Sequence, residues 1–294
     1  MNYQQFVVVI KEKVALSLGS GIDLQICTTL KNNGKERIGL SISEQHVNIY
    51  PTIYLEEYYK QFQNGHSVDL IAKSIVDVYH EVKFEHTWKV DSIKNFSFIK
   101  SKITDKLIHA QKNNTLLEKI PHIPYLDLAI VFYILFDVDE SGTATIPITN
   151  ELLQLWKIDV NHLYQIAMEN SPQLLPATFK PMRTVIAELM DKSCDEFIQE
   201  DDIMFVLTNP LRTYGAACIL YNGILEQIAS QLGENFYILP SSIHETILIP
   251  ESKSPIKEDL REMVLEINTT QVDAEEILSD SVYYYDFETR ELRL

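Results

Sequence analysis

With 294 residues, 46% of them apolar and only 9 glycines and 11 prolines, the chain has material for a sizeable core and length for two modest domains. Its 42 acidic and 25 basic residues give a net charge of −17, a surface that repels phosphate, so direct nucleic-acid binding is not expected. The cysteines, Cys27, Cys194 and Cys218, are odd in number and far apart, which excludes a disulfide framework or zinc cluster and points to a reducing compartment.

The N-terminal stretch "MNYQQFVVVIKEKVALS" carries helical spacing and ends before Gly19 and Gly21. Its apolar run, Phe6 to Ile10, is shorter than a signal peptide requires. The longest apolar stretch, "LAIVFYILF" (Leu128 to Phe136), is too short to cross a bilayer as a helix. A soluble, cytoplasmic protein with no membrane association is expected. "IDLQICTTLK" and "ERIGLSI" read as strands joined at Asn33–Gly34, a pair suited to a tight hairpin. "HVNIYPTIYL" continues extended, because Pro51 disfavours helix at Tyr50. "SVDLIAKSIVDVYHEV" predicts a helix capped by Ser67, with Ile71, Ile75, Val78 and Val82 on one face. Residues 84–120 are polar and lysine-rich with helical traces, and read as a bridging segment.

A second extended pair follows in "YLDLAIVFYILFDV" and "TATIPIT", joined by a turn at "DESG". "DVNHLYQIAMEN" predicts a helix capped by Asp159 and ended by Ser171–Pro172. "FKPMRTVIAELMDK" predicts another, with Pro181 near its first turn. The acidic stretch 191–202 reads as an exposed loop or helix end before the short strand "IMFVLT". "RTYGAACILYNGILEQIASQLG" reads as a helix over 212–232, with Ala216 and Gly223 forming a small-residue stripe for close backbone approach and Gly233 as C-cap. "NFYILP" and "HETILIP" are strands. "SPIKEDLREMVLEIN" is a helix with Ser254 as cap and Pro255 first, and "VYYYDFETRELRL" is a hairpin turning near "ETR". Two strands and a helix thus recur near 22–82, 126–170 and 235–267. The order is α+β, with mixed or antiparallel sheets and packed helices, in an N-terminal region 1–120 and a C-terminal region 121–294.

The glycines of "LGSGID" lack the third glycine and preceding strand of a phosphate loop, and read as a helix-to-strand turn. Asp137, Asp139, Ser141 and Gly142 imitate the start of a calcium loop, but Ile148 stands where a bidentate Glu is needed, so a hairpin turn is expected. His80 and His86 are six apart, not the spacing at which two imidazoles share a zinc on a helix. No metal, cofactor or catalytic residue is assigned. "PSSIHE" concentrates the remaining polar chemistry. On a strand, Ser242 and His244 would share a face and Ser241 and Glu245 the other. An activated serine also needs an orienting acid and oxyanion donors, and no G-x-S-x-G elbow is present. Turn chemistry between two strands is the plainer reading.

The stretches "LKNNG", "PTIYL", "DLAIVFYIL", "VLTN", "GAACILY", "LYNGIL", "ILPSSIHETILIP", "INTTQV" and "EEILSDSVYYYD" run through nearly the whole chain. On them it resembles an uncharacterised family of roughly three-hundred-residue proteins from gut anaerobic Firmicutes, a domain of unknown function. The order of elements is also similar to an uncharacterised bacillar family. Neither resemblance implies an activity, cofactor or substrate.

The expectation is a non-catalytic intracellular binding or regulatory protein, acting through a protein partner or small-molecule ligand. Its surface is expected where Ser241, Ser242, His244 and Glu245, the helix carrying Tyr221 and Asn222, and the turn at Ser279–Asp280 come together. Two other readings stay open. One is a hydrolase or transferase using Ser242 or His244. The other is an acidic mimic of DNA, which needs carboxylates arrayed along one elongated face.

Overall fold

Each strand-rich stretch builds an antiparallel sheet with helices packed against it, and the fold is α+β. The computed structural model describes residues 1–19, 21–44, 52–82, 90–139, 142–192 and 197–294. The chain divides into two compact units, residues 1–31 with 35–98, and residues 32–34 with 99–294.

In the first unit, α1 (Tyr3–Leu18) starts with a capping box, Asn2 accepting from the Gln5 amide while the Gln5 side chain accepts from the Asn2 amide. It buries Phe6, Val7, Ile10 and Val14. Gly19, at φ 77°, ends the helix where a side chain would be strained. β1 (Ile22–Leu30) and β2 (Glu36–Glu44) form an unbroken ladder from Ile22↔Glu44 to Leu30↔Glu36, and β3 (Thr52–Tyr54) pairs with β2. After α2 (Glu56–Gln63), the Ser67 hydroxyl accepts from the Leu70 amide and begins α3 (Val68–Val82), which buries Ile71, Ile75 and Tyr79 against the same core. Short helices α4 (Val90–Lys94) and α5 (Phe96–Ile99) follow.

The second unit opens with β4 (Ile103–His109), α6 (Asn114–Leu117), β5 (His122–Tyr125), β6 (Leu128–Asp139) and β7 (Gly142–Pro147). β6 is central, with β4 on one side and β5 and β7 on the other, and every residue from Leu128 to Phe136 is buried. A strand covered on both faces needs a continuous apolar run, which explains "LAIVFYILF". α7 (Asn150–Trp156) and α8 (Val160–Leu174) are capped by Thr149 and Asp159. Then come β8 (Thr178–Pro181), α9 (Met182–Leu189), β9 (Phe205–Thr208), α10 (Ile224–Leu232), β10 (Phe236–Leu239), β11 (Thr246–Pro250), α11 (Lys257–Thr270), β12 (Tyr283–Asp286) and β13 (Glu291–Arg293). Six of these strands form one sheet in the order β13-β12-β10-β11-β9-β8.

Several expectations are corrected. Residues 103–109, read as part of a helical bridge, are the buried strand β4: Ile103, Leu107 and Ile108 supply the apolar positions, and the lysines around them masked that pattern. β5 adds a hairpin not expected before β6. α8 runs through Pro172 to Leu174, because the Ser171 carbonyl still accepts from the Leu175 amide one turn on. Ser254 does not cap α11; its hydroxyl donates to the Pro255 carbonyl and the helix starts at Lys257. The helix expected over 212–232 is two elements. Residues 215–220 form a buried 3-10 turn, Tyr221 is extended, and α10 begins only after Gly223, at φ 75°. Gly223 has open space around it, so the stripe with Ala216 does not exist; the close approach is made by Gly215. Asp202, in the stretch read as exposed, is buried and paired with Arg183. His46, His86, Cys194, Ser141 and Pro51 lie outside the described residues.

Candidate functional site

Two segments of the second unit are tied to the β10–β11 connection, residues 240–245, and a third braces the second of them. The first comes from the end of β9. Asn209 accepts from the amides of Leu211 and Thr213 and donates to the Thr213 carbonyl, which folds the chain back on itself. Arg212 and Tyr214 take left-handed conformations at φ 49° and 54°. Gly215 then lies so close that a Cβ would sit 2.2 Å from Thr208 Oγ1 and 2.5 Å from the His244 carbonyl oxygen. Thr208 Oγ1 donates to that carbonyl at 2.7 Å, and the Ala216 amide donates to the Ile243 carbonyl.

The second segment is 276–279. Ile243 donates to the Glu276 carbonyl, Leu278 to the Ser241 carbonyl and Ser279 to the Pro240 carbonyl, with Ser242 bridged to Ile277. The third is the turn Asn32–Gly34, which belongs to this unit. Asn32 donates to the Glu275 carbonyl and Asn33 to those of Ala274 and Ile277, while the buried Asn113 holds both asparagine side chains.

The polar side chains of "PSSIHE" serve this junction. Ser242 Oγ accepts from the His244 amide at 3.0 Å, and Ser241 and Ser242 are both buried. His244 lies parallel to the Tyr214 ring at 5.9 Å, and its Nδ1 accepts from the Tyr214 amide at 3.3 Å. That places the proton on Nε2, which faces Glu276 Oε1 at 3.6 Å. The expected alternation of a strand is therefore absent: residues 243–244 are a bend, and the serine hydroxyl caps local backbone instead of meeting the imidazole. Glu245 is half-buried.

Asp280 is drawn to the same neighbourhood by its chain neighbours. It accepts from Lys112 at 3.0 Å and from Asn268 at 2.8 Å. Burial acts to raise its carboxyl, but Asn268, Lys112 and the nearby His109 outweigh that and hold it below the ordinary value. Tyr221 and Asn222 are placed otherwise. The buried Tyr221 hydroxyl donates to the Leu175 carbonyl after α8, and Asn222 is exposed at the turn before α10.

Sequence reasoning missed Thr208, Asn209, Gly215, Glu276 and the asparagines 32, 33 and 113. It also missed Asp127, at the β5–β6 turn, which accepts from Ser279 at 2.5 Å, from Ser281 at 2.9 Å and from Tyr283. Burial, then the Asp127 charge, raises the Tyr283 phenol. The only signal for most of these was membership of "VLTN", "GAACILY", "LKNNG" and "EEILSDSVYYYD", stretches that the fold brings to one place. An open groove of about 270 Å³ is lined by Lys257, Glu258, Arg261, Ser281, Val282 and Leu294, and so adjoins this junction through Ser281 without including Ser242 or His244. Among the described residues no group of three or more His, Cys, Asp or Glu side chains is placed to hold a metal, and no helix is long and apolar enough to cross a membrane.

This architecture is a two-unit α+β protein whose second unit carries a backbone-tied junction at the β10–β11 connection. The chain belongs to a family of unknown function, DUF5688, whose model matches residues 3–287. No curated protein and no solved structure matches it.

Proposed function

We propose that this is a non-catalytic, cytoplasmic binding or regulatory protein, acting on a protein partner or small ligand at the junction of residues 241–245 and 273–280. The observation that carries this reading is the engagement of Ser242: its hydroxyl is occupied by the His244 amide, and the imidazole faces a glutamate instead of a nucleophile. A hydrolase needs the opposite arrangement, with hydroxyl, base and acid in line. His244 and Glu276 keep 26% and 44% of their side chains exposed, so the junction offers a surface while its backbone stays fixed. Asp273 and Glu276 give that surface a negative edge, which suits a cationic partner or group.

Two measurements on the full chain test this. A fluorophosphonate probe is expected to leave Ser242 unlabelled; labelling that Ser242→Ala abolishes would overturn the reading in favour of acyl transfer. A thermal-shift screen of metabolites, nucleotides and basic peptides is expected to give a stabilising hit, since a ligand of the native state raises the melting temperature by mass action. That hit should be lost in a folded His244→Ala variant; a hit that survives moves the binding surface elsewhere.

A further inference from the structure

Asp105 is the only acid on β4, and it is 2% exposed. The Ser171 hydroxyl, from α8, donates to Oδ1 at 2.5 Å and accepts from the Asp105 amide at 3.3 Å. Oδ2 is buried with no hydrogen-bond partner among the described residues. The groups around it are neutral: Tyr164 on α8, Tyr133 on β6, and Cys218 and Tyr221 from the 3-10 turn and its end. Burial first, and the Asp105 charge in addition, pushes all four upward, Cys218 to about 12. Lys106, next along the strand, holds its ammonium 4.3 Å above the Tyr214 ring. Among the described residues no cation pairs with Asp105.

We propose that Asp105 is a proton switch controlling how tightly α8 seats on the four-stranded sheet. Protonated, it keeps the Ser171 bond and buries no charge. Ionised, it leaves a buried charged oxygen that no donor among the described residues meets, a state that burial penalises heavily. Lifting the end of α8 that carries Ser171 and Pro172 lets water reach that oxygen, and Pro172 has no amide hydrogen bond to lose there. Burial raises the carboxyl to about 6, opposed in part by the Ser171 hydroxyl and the Asp105 amide. A raised carboxylate stabilises the fold fully below its unfolded value, near 3.8, and loses that contribution as pH rises through about 6. Tyr133 meets Tyr214 edge-on at 5.2 Å, and Tyr214 stacks on His244, so the switch adjoins the junction through two rings. It stands whether or not that junction binds a partner.

Hydrogen exchange of the full chain at about pH 5 and about pH 7.5, corrected for intrinsic rates, tests the switch. Protection of α8 relative to α10 should fall roughly tenfold at the higher pH in the wild type and stay constant in Asp105→Asn. Equal changes in both helices, or the same fall in Asp105→Asn, would overturn it. Infrared spectra cover the case in which Asp105→Asn does not fold. A protonated-carboxyl band should be present at about pH 5, disappear by about pH 7.5, and shift its midpoint upward in Ser171→Ala, which lacks the donor that favours the ionised form. A band absent at the lower pH, or a midpoint that Ser171→Ala leaves unmoved, counts against the proposal.

Discussion

Asp127 and Asp105 belong to the same unit, one in the turn before β6 and the other on the strand beside it, yet their surroundings are opposite. Asp127 gathers three hydroxyls, from Ser279, Ser281 and Tyr283, and with them ties the β5–β6 turn to the start of β12. Asp105 has one hydroxyl and one oxygen that no donor among the described residues meets. Burial alone does not decide what an acid does in a fold. The number of donors turned toward it decides whether its charge is a tie or a strain.

Four substitutions put that contrast to the test. Asp127→Ala should have the largest effect, lowering unfolding free energy by about 3–5 kcal/mol in urea titrations, because three donors lose a charged acceptor together. Asp105→Asn should act with the opposite sign. At about pH 8 it should raise stability by roughly 2–3 kcal/mol, the worth of a carboxyl shifted by about two pH units, and the gain should vanish near pH 4. A loss of stability at every pH would make Asp105 an ordinary structural acceptor and end the comparison. Tyr283→Phe removes one donor of three and should cost about 1–1.5 kcal/mol by the same titration. Lys112→Ala should be smallest, about 0.5 kcal/mol, since its pairing with Asp280 is partly exposed and screened by solvent. That last effect should shrink further in high salt.

The α+β class, β6, the α8 cap and the terminal hairpin were legible because each is declared by local periodicity or by a residue with one dominant role. β4 was not, since a short strand threaded with lysine and aspartate shows neither a clear alternation nor an unbroken apolar run. The 3-10 turn at 215–220 was hidden for a different reason. Its small apolar residues satisfy a helical pattern, and only the approach of Gly215 to Thr208 and His244, set by partners far along the chain, breaks it. At the candidate site, the serines of "PSSIHE" could be read as turn chemistry from neighbouring residues alone. The joining of that turn to 273–279 and to the asparagines at 32 and 33 could not, because nothing local announces a partner more than two hundred positions away.

That separation has a consequence for how the molecule is made. Asn33 reaches the carbonyls of Ala274 and Ile277 across 241 and 244 positions. Residues 32–34 can meet Asn113 first, but the carbonyls they anchor lie more than two hundred positions further along. Closing so long a loop costs only slightly more entropy than closing a shorter one, but it cannot begin sooner. Until the chain reaches residue 274, the asparagine turn can be held only through Asn113.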